Sequence, residues 1–595
     1  SSAVTISGVT YTKAETGVEL TATGSGSGNV SGKTGNSNAF TVIGGTATKL
    51  VVSNIGQQTA GTGFSVTVTL YDTNDNPTNA TADGTVTLTL KTGNGTLGGT
   101  LTGTITSGSS AVTISGVTYT KAETGVELTA TGSGSGNVNG KTGNSNAFTV
   151  VAGAASKYIV TSSSSSPTAG GTVTITAQLV DANNNPVSTS GKTITWSKSD
   201  ANGSFSSATS TTDANGTATV TFTSHTVSGT TTTITATDNT SLTGTTSNIT
   251  TGVGTASKLV VSNIGQQTAG TGFSVTVTLT DDNGNAVNAT ADGTVTLTRK
   301  TGTGTLGGTL TGTIVNGSSA VTISGVTYTK AETGVELTAT GSGSGNVSGK
   351  TGNSNAFTVV AGAASKYIVT SSNYSPIVGS NITITAQLVD ANNNPVSTSG
   401  KTITWSKSDG NGSFSSATST TDANGTATVT FTSHTVSGTT TTITATDNTS
   451  LTGTTSNITS DASGASKLVI TNIGQQTAGT GFSVTVTLTD DNGNAVNATA
   501  DGTVTLTRKT GTGTLGGTLT GTIVNGSSAV TISGVTYTKA ETGVELTATG
   551  SGSGNVSSKT GNSNAFTVVA GAASKYIVTS SSSSPTAGGT VTITA

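Results

Sequence analysis

The stretch "SSAVTISGVTYTKAETGVELTATGSGSGN" at the head of the chain returns letter for letter at Ser109, Ser318 and Ser527. The last two steps are each 209 residues, whereas the first is 108. A second phrase, "ASKYIVTSS", has its lysine at 157, 366 and 575, and a third, "KLVVSNIGQQTAGTGFSVTVTL", starts at Lys49 and Lys258. Both keep the longer step. The repeating unit is therefore composite, an A module of 108 residues alternating with a B module of 101. Self-similarity at a domain-sized period demands an array of like modules, so the rules that fold one copy fold them all.

This spacing predicts A-type modules at 45–152, 254–361 and 463–570 and B-type modules at 153–253 and 362–462. Residues 1–44 match the end of an A module, and 571–595 match the first strands of a B module. A segment that starts and stops inside modules is expected to be a piece of a longer array, with neither end a natural terminus.

Within each module the periodicity is two. In "FSVTVTL", Val66, Val68 and Leu70 share one parity while Ser65, Thr67 and Thr69 share the other, and "GTVTLTL" repeats the pattern with Val86, Leu88 and Leu90. Such alternation sets one face of a strand on a core and the other in water. Threonine suits the outer face, because its β-branch fits a pleated surface and its hydroxyl stays solvated. No 3.6-residue pattern persists. Turn signals separate the runs: "DTNDNP" at 72–77, "DANNNP" at 181–186 and "DANG" at 213–216. Asp and Asn bond their own backbone in such bends, and Gly accepts positive φ. Seven to nine short strands per module, with no helix, predict an all-β, two-sheet Greek-key sandwich.

Composition narrows the function classes. Only 8% of residues are charged and the net charge is −3, so nothing here offers an electrostatic footprint for nucleic acid or an anionic membrane. Cysteine and methionine are both absent. Modules of this size can bury enough surface without disulfides, and the absence suits a surface protein that avoids stray oxidation. The segment shows no signal peptide and no apolar run long enough to span a bilayer.

In "KTITWSKSD", Trp196 has the inward parity of Ile194, and Trp405 is its counterpart. One buried Trp per module is a familiar anchor of immunoglobulin-like cores, and the missing cysteine pair excludes an antibody-type domain. The B module, with "GGTVTITAQLVDANNNPVSTSGKTITWS" and "GSFSSATSTTDANGTATVTFTS", resembles the bacterial immunoglobulin-like domain of group 1, the repeat of invasin- and intimin-type adhesins. The most specific part is "TTDANGTATVTF", where Asp213 to Gly216 form the turn and Ala218, Val220 and Phe222 enter the core. The A module is similar through "TAGTGFSVTVTLYDTNDNP", although the copy at 281–286 reads "DDNGNA" and lacks the proline. The resemblance implies a tandem array of immunoglobulin-like sandwiches forming an extended rod on a bacterial cell surface or outside it. It supplies no catalytic residues.

Candidate chemistry is sparse. His225 and His434 each stand alone in "TSHTVSG", without the second His or Cys of a zinc or hydrolase site, and are read as structural or solvated. The acidic turns offer oxygens at alternating positions, as the first half of a calcium loop does. Asp72, Asp75, Asp281 and Asp282 are accordingly the calcium candidates, although the closing bidentate acid is missing. The alternatives are Asx turns between strands or calcium at a joint between modules. No other cofactor is implied. "GTGTLGGTLTGT" at 302–313 lacks the GK[ST] of a phosphate loop. Lys49, Glu127 and Asn146 sit in roughly the places of a Lys–Asn isopeptide site, but Val126 and Leu128 face inward and leave Glu127 outside. Asn79, Asn94, Asn215 and Asn248 open N-x-S/T triplets that a Thr- and Ser-rich chain generates by chance.

The expected function is a non-enzymatic structural repeat region, acting as a stalk, filament or surface-layer component that supports adhesion. The alternative is a set of glycan- or host-protein-binding adhesin modules. Low charge and long Thr/Ser ladders, such as "TTTTITATD" at 230–238, also make self-association into a fibre or lattice an expectation.

Overall fold

The computed structural model describes residues 2–595; Ser1, the first residue of the expected partial module, lies outside the described residues. The described residues contain β-strands and short 3-10 turns and no α-helix. The alternating runs became strands with the expected faces: in Phe64–Tyr71 every second residue from Phe64 to Leu70 is buried.

An A-type sandwich is seen between Lys49 and Val151. One sheet runs in the order Lys49–Val52, Phe64–Tyr71, Ala111–Tyr119, Leu97–Gly99. The other runs Thr102–Ile105, Gly84–Thr92, Glu123–Gly134, Phe148–Val151, Gln58–Thr59, with Thr142–Asn144 also paired to Glu123–Gly134. Between the sheets lies a core that includes Leu50, Val66, Val68, Leu70, Val86, Leu128 and Tyr119. Each such side chain contributes about 1.5 to 3 kcal/mol on burial, which is how a chain without disulfides holds its modules.

The B-type sandwich pairs Ala155–Ser162, Thr172–Asp181, Thr217–Thr223 and Ser204–Phe205 in one sheet. Thr209–Thr211, Thr193–Lys198, Ile234–Asp238 and Thr243–Thr245 form the second, and Thr231–Thr232 pairs with Ile249–Thr250. Trp196 is buried, and its indole N–H donates to Ser210 Oγ at 2.9 Å, which removes the cost of an orphaned donor. The same two arrangements recur along the chain with separate cores for each copy.

Each complete sandwich has ten strands, more than the seven to nine expected. The additions are two- and three-residue edge pieces, too short to leave an alternation in sequence. They cover open edges. After Lys49–Val52 the chain crosses to the opposite sheet, where Gln58–Thr59 runs parallel to Phe148–Val151. Asn146 holds the crossing: its Oδ1 accepts the Ile55 N–H at 2.7 Å and its Nδ2 donates to the Ile55 carbonyl at 2.9 Å. At another edge a hairpin strand folds against the first strand so closely that only glycine fits. A Cβ at Gly143 would stand 1.9 Å from the Leu50 carbonyl oxygen, and one at Gly244 would stand 2.0 Å from that of Tyr158.

Candidate functional site at the module joints

The acidic turns, those with the calcium candidates at 72–76 and 281–285 and their B-module counterparts alike, lie where one sandwich meets the next. In "DANNNP", Asp181 Oδ1 accepts the N–H groups of Asn183 and Asn185 at 2.9 and 2.8 Å, the local bonding that makes an Asx turn. Its Oδ2 accepts the N–H of Gly153, in the connection between the two sandwiches, at 2.8 Å. Asn185 Nδ2 also donates to that oxygen at 2.8 Å, which fixes the orientation of the amide. So fixed, Asn185 reaches into the preceding sandwich. Its Nδ2 donates to the carbonyl of Thr120 at 2.8 Å and its Oδ1 accepts the N–H of Ala122 at 2.8 Å.

The same latch closes the four other joints that lead into a complete module. Asn76 holds Thr12 and Ala14, Asn285 holds Thr226 and Ser228, Asn394 holds Thr329 and Ala331, and Asn494 holds Thr435 and Ser437, all at 2.7 to 2.9 Å. The corresponding carboxylates Asp72, Asp281, Asp390 and Asp490 take the linker N–H of Gly45, Gly254, Gly362 and Ser463. At one joint Asn283 adds a donor to the Ala169 carbonyl at 3.0 Å. The latch meets only peptide groups on its target, so it is indifferent to which side chains the preceding loop carries.

These carboxylates are buried and saturated with donors. Asp72 is 3% exposed, and hydrogen bonds from Asn76, then Gly45 and Asn74, hold its pKa down at about 2 despite its burial. For Asp181 burial pushes upward, and hydrogen bonds from Asn185, Gly153 and Asn183 outweigh it to leave the carboxyl below its ordinary range.

The four calcium candidates occupy two different situations. Asp72 and Asp281 are the latch carboxylates, so a cation there would have to displace N–H donors already in place. Asp75 pairs with Lys49 at the surface, its side chain 72% exposed. The exposed Asp282 offers its backbone carbonyl to Lys258 Nζ at 3.2 Å. Among the described residues no group of three or more His, Cys, Asp or Glu side chains gathers as a metal site would.

Lys49, Glu127 and Asn146 each have another partner: Lys49 has Asp75, Glu127 has Lys91 at 2.6 Å, and Asn146 has the Ile55 backbone. The two histidines are not solvated. His225 and His434 are 4% and 2% exposed, facing Asp200 and Asp409 across 3.1 and 2.8 Å. The latch asparagines themselves were not singled out from the sequence. Their signal was present in the third asparagine of "DANNNP" and its counterparts, at a fixed distance of four residues from the aspartate.

The profile of the bacterial Ig-like domain (group 1) matches residues 378–464. The matched stretch holds Trp405, the buried His434 facing Asp409 and the loop gripped by Asn494. Among solved structures, FdeC, an adhesin of Escherichia coli, is 22% identical, with 51% of this chain and 98% of that one covered and a TM-score of 0.25. InvD of Yersinia pseudotuberculosis is 19% identical over 51% and 98% of the two chains, with a TM-score of 0.25. A tetra-tandem repeat from the extending region of a large adhesion protein is 18% identical over 70% and 100%, with a TM-score of 0.24. No curated protein matches the chain.

Proposed function

We propose that this chain is a stalk: a non-enzymatic, extracellular spacer of a bacterial surface protein, in which bacterial Ig-like modules bounded near 45, 153, 254, 362 and 463 set reach and support adhesion. The observation that carries the reading is the recurrence of the Asp–Asn latch at the five joints that lead into complete modules. A chain whose modules merely floated on linkers would have no use for a buried carboxylate fixing each linker N–H. Low charge and the absence of any module with its own aromatic or charged cluster agree with a role spread evenly along the array.

Side-by-side packing of such stalks is part of the proposal. Each module type carries a row of threonines four strands wide, Thr102, Thr87, Thr131 and Thr142 in one and Thr209, Thr195, Thr237 and Thr243 in the other. These neutral faces lack the like-charge repulsion that keeps neighbours apart.

Small-angle scattering tests the stalk. With modules of about 40 Å, from strands of about eight residues plus loops, the five complete modules should give a maximum dimension on the order of 200 Å. A compact particle rejects it. Sedimentation across protein and salt concentration tests lateral packing, and a strictly monomeric rod throughout leaves a solitary stalk.

A further inference from the structure

Asparagine is followed directly by glycine ten times in the chain. Such a pair can close on itself, because the glycine nitrogen reaches the asparagine carboxamide with no side chain of its own in the way. In eight of the ten pairs the glycine N–H is already committed. The Gly216 and Gly425 amides donate to the Asp213 and Asp422 carbonyls at 3.0 Å, and those of Gly284 and Gly493 donate to Asp281 and Asp490 at 3.1 Å. Gly317 and Gly526 donate to Ala289 and Ala498 at 2.9 Å, Gly140 donates to Gly132 at 2.9 Å, and Gly95 donates to the Tyr119 hydroxyl at 2.7 Å. Among the described residues the N–H groups of Gly203 and Gly412 meet no acceptor.

These two glycines hold the same place in the two B modules, just before the edge strands Ser204–Phe205 and Ser413–Phe414. Ser206 and Ser415 donate to the Thr221 and Thr430 carbonyls at 2.9 Å, and Ser204 and Ser413 stand opposite Thr223 and Thr432. Alternation along the ladder then turns the Gly203 and Gly412 N–H groups away from the neighbouring strand, toward the open edge of the sheet. Packing keeps glycine there. A Cβ would stand 2.6 Å from the Phe222 or Phe431 ring, and φ is 70° at both positions. Asn202 and Asn411 are exposed, and among the described residues their carboxamides make no hydrogen bond. The contact with the phenylalanine thus imposes the one residue type that leaves the nitrogen unshielded.

Each loop also carries a cation. Lys198 Nζ bonds the Asp200 carbonyl at 3.1 Å, and Lys407 Nζ bonds that of Asn411 at 2.8 Å. A positive charge beside a peptide favours loss of the amide proton.

We propose that Asn202 and Asn411 are sites of spontaneous covalent modification, where the B modules convert asparagine to aspartate and isoaspartate while the other Asn–Gly pairs stay intact. The glycine nitrogen gives its proton to hydroxide and bonds the asparagine Cγ. The Cγ–Nδ2 bond breaks, and ammonia leaves with its third hydrogen drawn from water. Water then adds to either carbonyl of the cyclic imide and breaks one ring C–N bond, so that no oxidant or reductant takes part. Each event replaces a neutral amide by a carboxylate on the wall of a cavity of about 530 Å³ that Asn202 shares with His225 and Thr226, the residue whose carbonyl Asn285 grips. The isoaspartate product also lengthens the backbone between Asp200 and the edge strand. Age is written into the B modules as negative charge, with no enzyme required.

Ageing of the whole folded chain in mildly alkaline heavy-oxygen water tests this. Peptide mapping by mass spectrometry reads, pair by pair, the exchange of NH2 for labelled OH, and chromatography separates the aspartate and isoaspartate products. Asn202 and Asn411 should convert at least about threefold faster than any pair whose glycine N–H is bonded, since that bond has to open first. In denaturant, where those bonds are gone, all the pairs should react within about threefold of one another. A bonded pair that converts as fast as Asn202 and Asn411 in the folded chain overturns the proposal. So does a lead at these two asparagines that persists in denaturant, which would put its cause in their sequence neighbours and not in the fold.

Discussion

Asn185 Nδ2 donates to the carbonyl of Thr120 at 2.8 Å, from one sandwich to the one before it. The bond is made by an amide that its own turn has already oriented, so little side-chain freedom remains to be lost when the joint closes. Asn185→Ala removes both cross-joint bonds and leaves a donor and an acceptor without partners. Each lost bond is worth about 0.5 to 1.5 kcal/mol, and more where the orphaned group stays buried. Asn185→Asp should be worse, because it loses the donor and brings a second carboxylate against Asp181. Distance distributions between spin labels on either side of this joint should broaden in both variants and remain narrow at the joint held by Asn394. A distribution unchanged in Asn185→Asp rejects the latch.

The fourth residue of each latch turn sits in the left-handed region, with φ of 68° at Asn184, 63° at Asp75 and 88° at Gly284. Asn184→Gly should therefore leave stability unchanged or slightly raised, whereas the β-branched Asn184→Val should cost about 1 to 2 kcal/mol. Denaturant unfolding read by exchange in Thr172–Asp181 checks the order of the pair. Equal stability of Gly and Val would mean that the turn is not held in this conformation.

Trp196 packs in the centre of its core and bonds Ser210. Trp196→Ala should destabilise that sandwich by about 3 to 5 kcal/mol, while Trp405 fluorescence reports the other B sandwich unchanged. A loss below about 1 kcal/mol would contradict burial of the ring.

Acid should open the joints late. Asp72 is held at about 2, and in the B core Asp238 is too, where burial pushes up but Lys192 at 2.8 Å and Thr240 outweigh it. A carboxyl depressed in the folded state contributes stability that is complete above its unfolded value, about 3.9 for aspartate. That stability disappears as pH falls through the folded value. The array should thus keep its maximum dimension in scattering down to about pH 3 and change or unfold only near about pH 2. Collapse already near about pH 4 would show these carboxylates to be unpaired.

The fold was largely legible because alternation of Val, Ile and Leu with Thr is a direct record of which face meets the core. Trp196 was placed correctly by parity alone. Three features were not readable. Edge strands such as Gln58–Thr59 are too short to alternate, and their parallel pairing is a tertiary event. His225 is buried facing Asp200, 25 residues earlier, a contact that the polar letters around the histidine, read as structural or solvated, do not encode. From the sequence the acidic turns read as Asx turns between strands or, alternatively, as calcium sites at a joint between modules. Their use by amides depends on the distance to a neighbouring sandwich that no local motif encodes.

Because Asn185 and its counterparts recognise the peptide group alone, a duplicated or exchanged unit arrives with its interface already complete. Unequal recombination between near-identical repeats can then lengthen or shorten the gene by whole units, with no compensating mutation needed on the neighbour. Variation in length becomes heritable at almost no structural risk, and selection can act on repeat number directly.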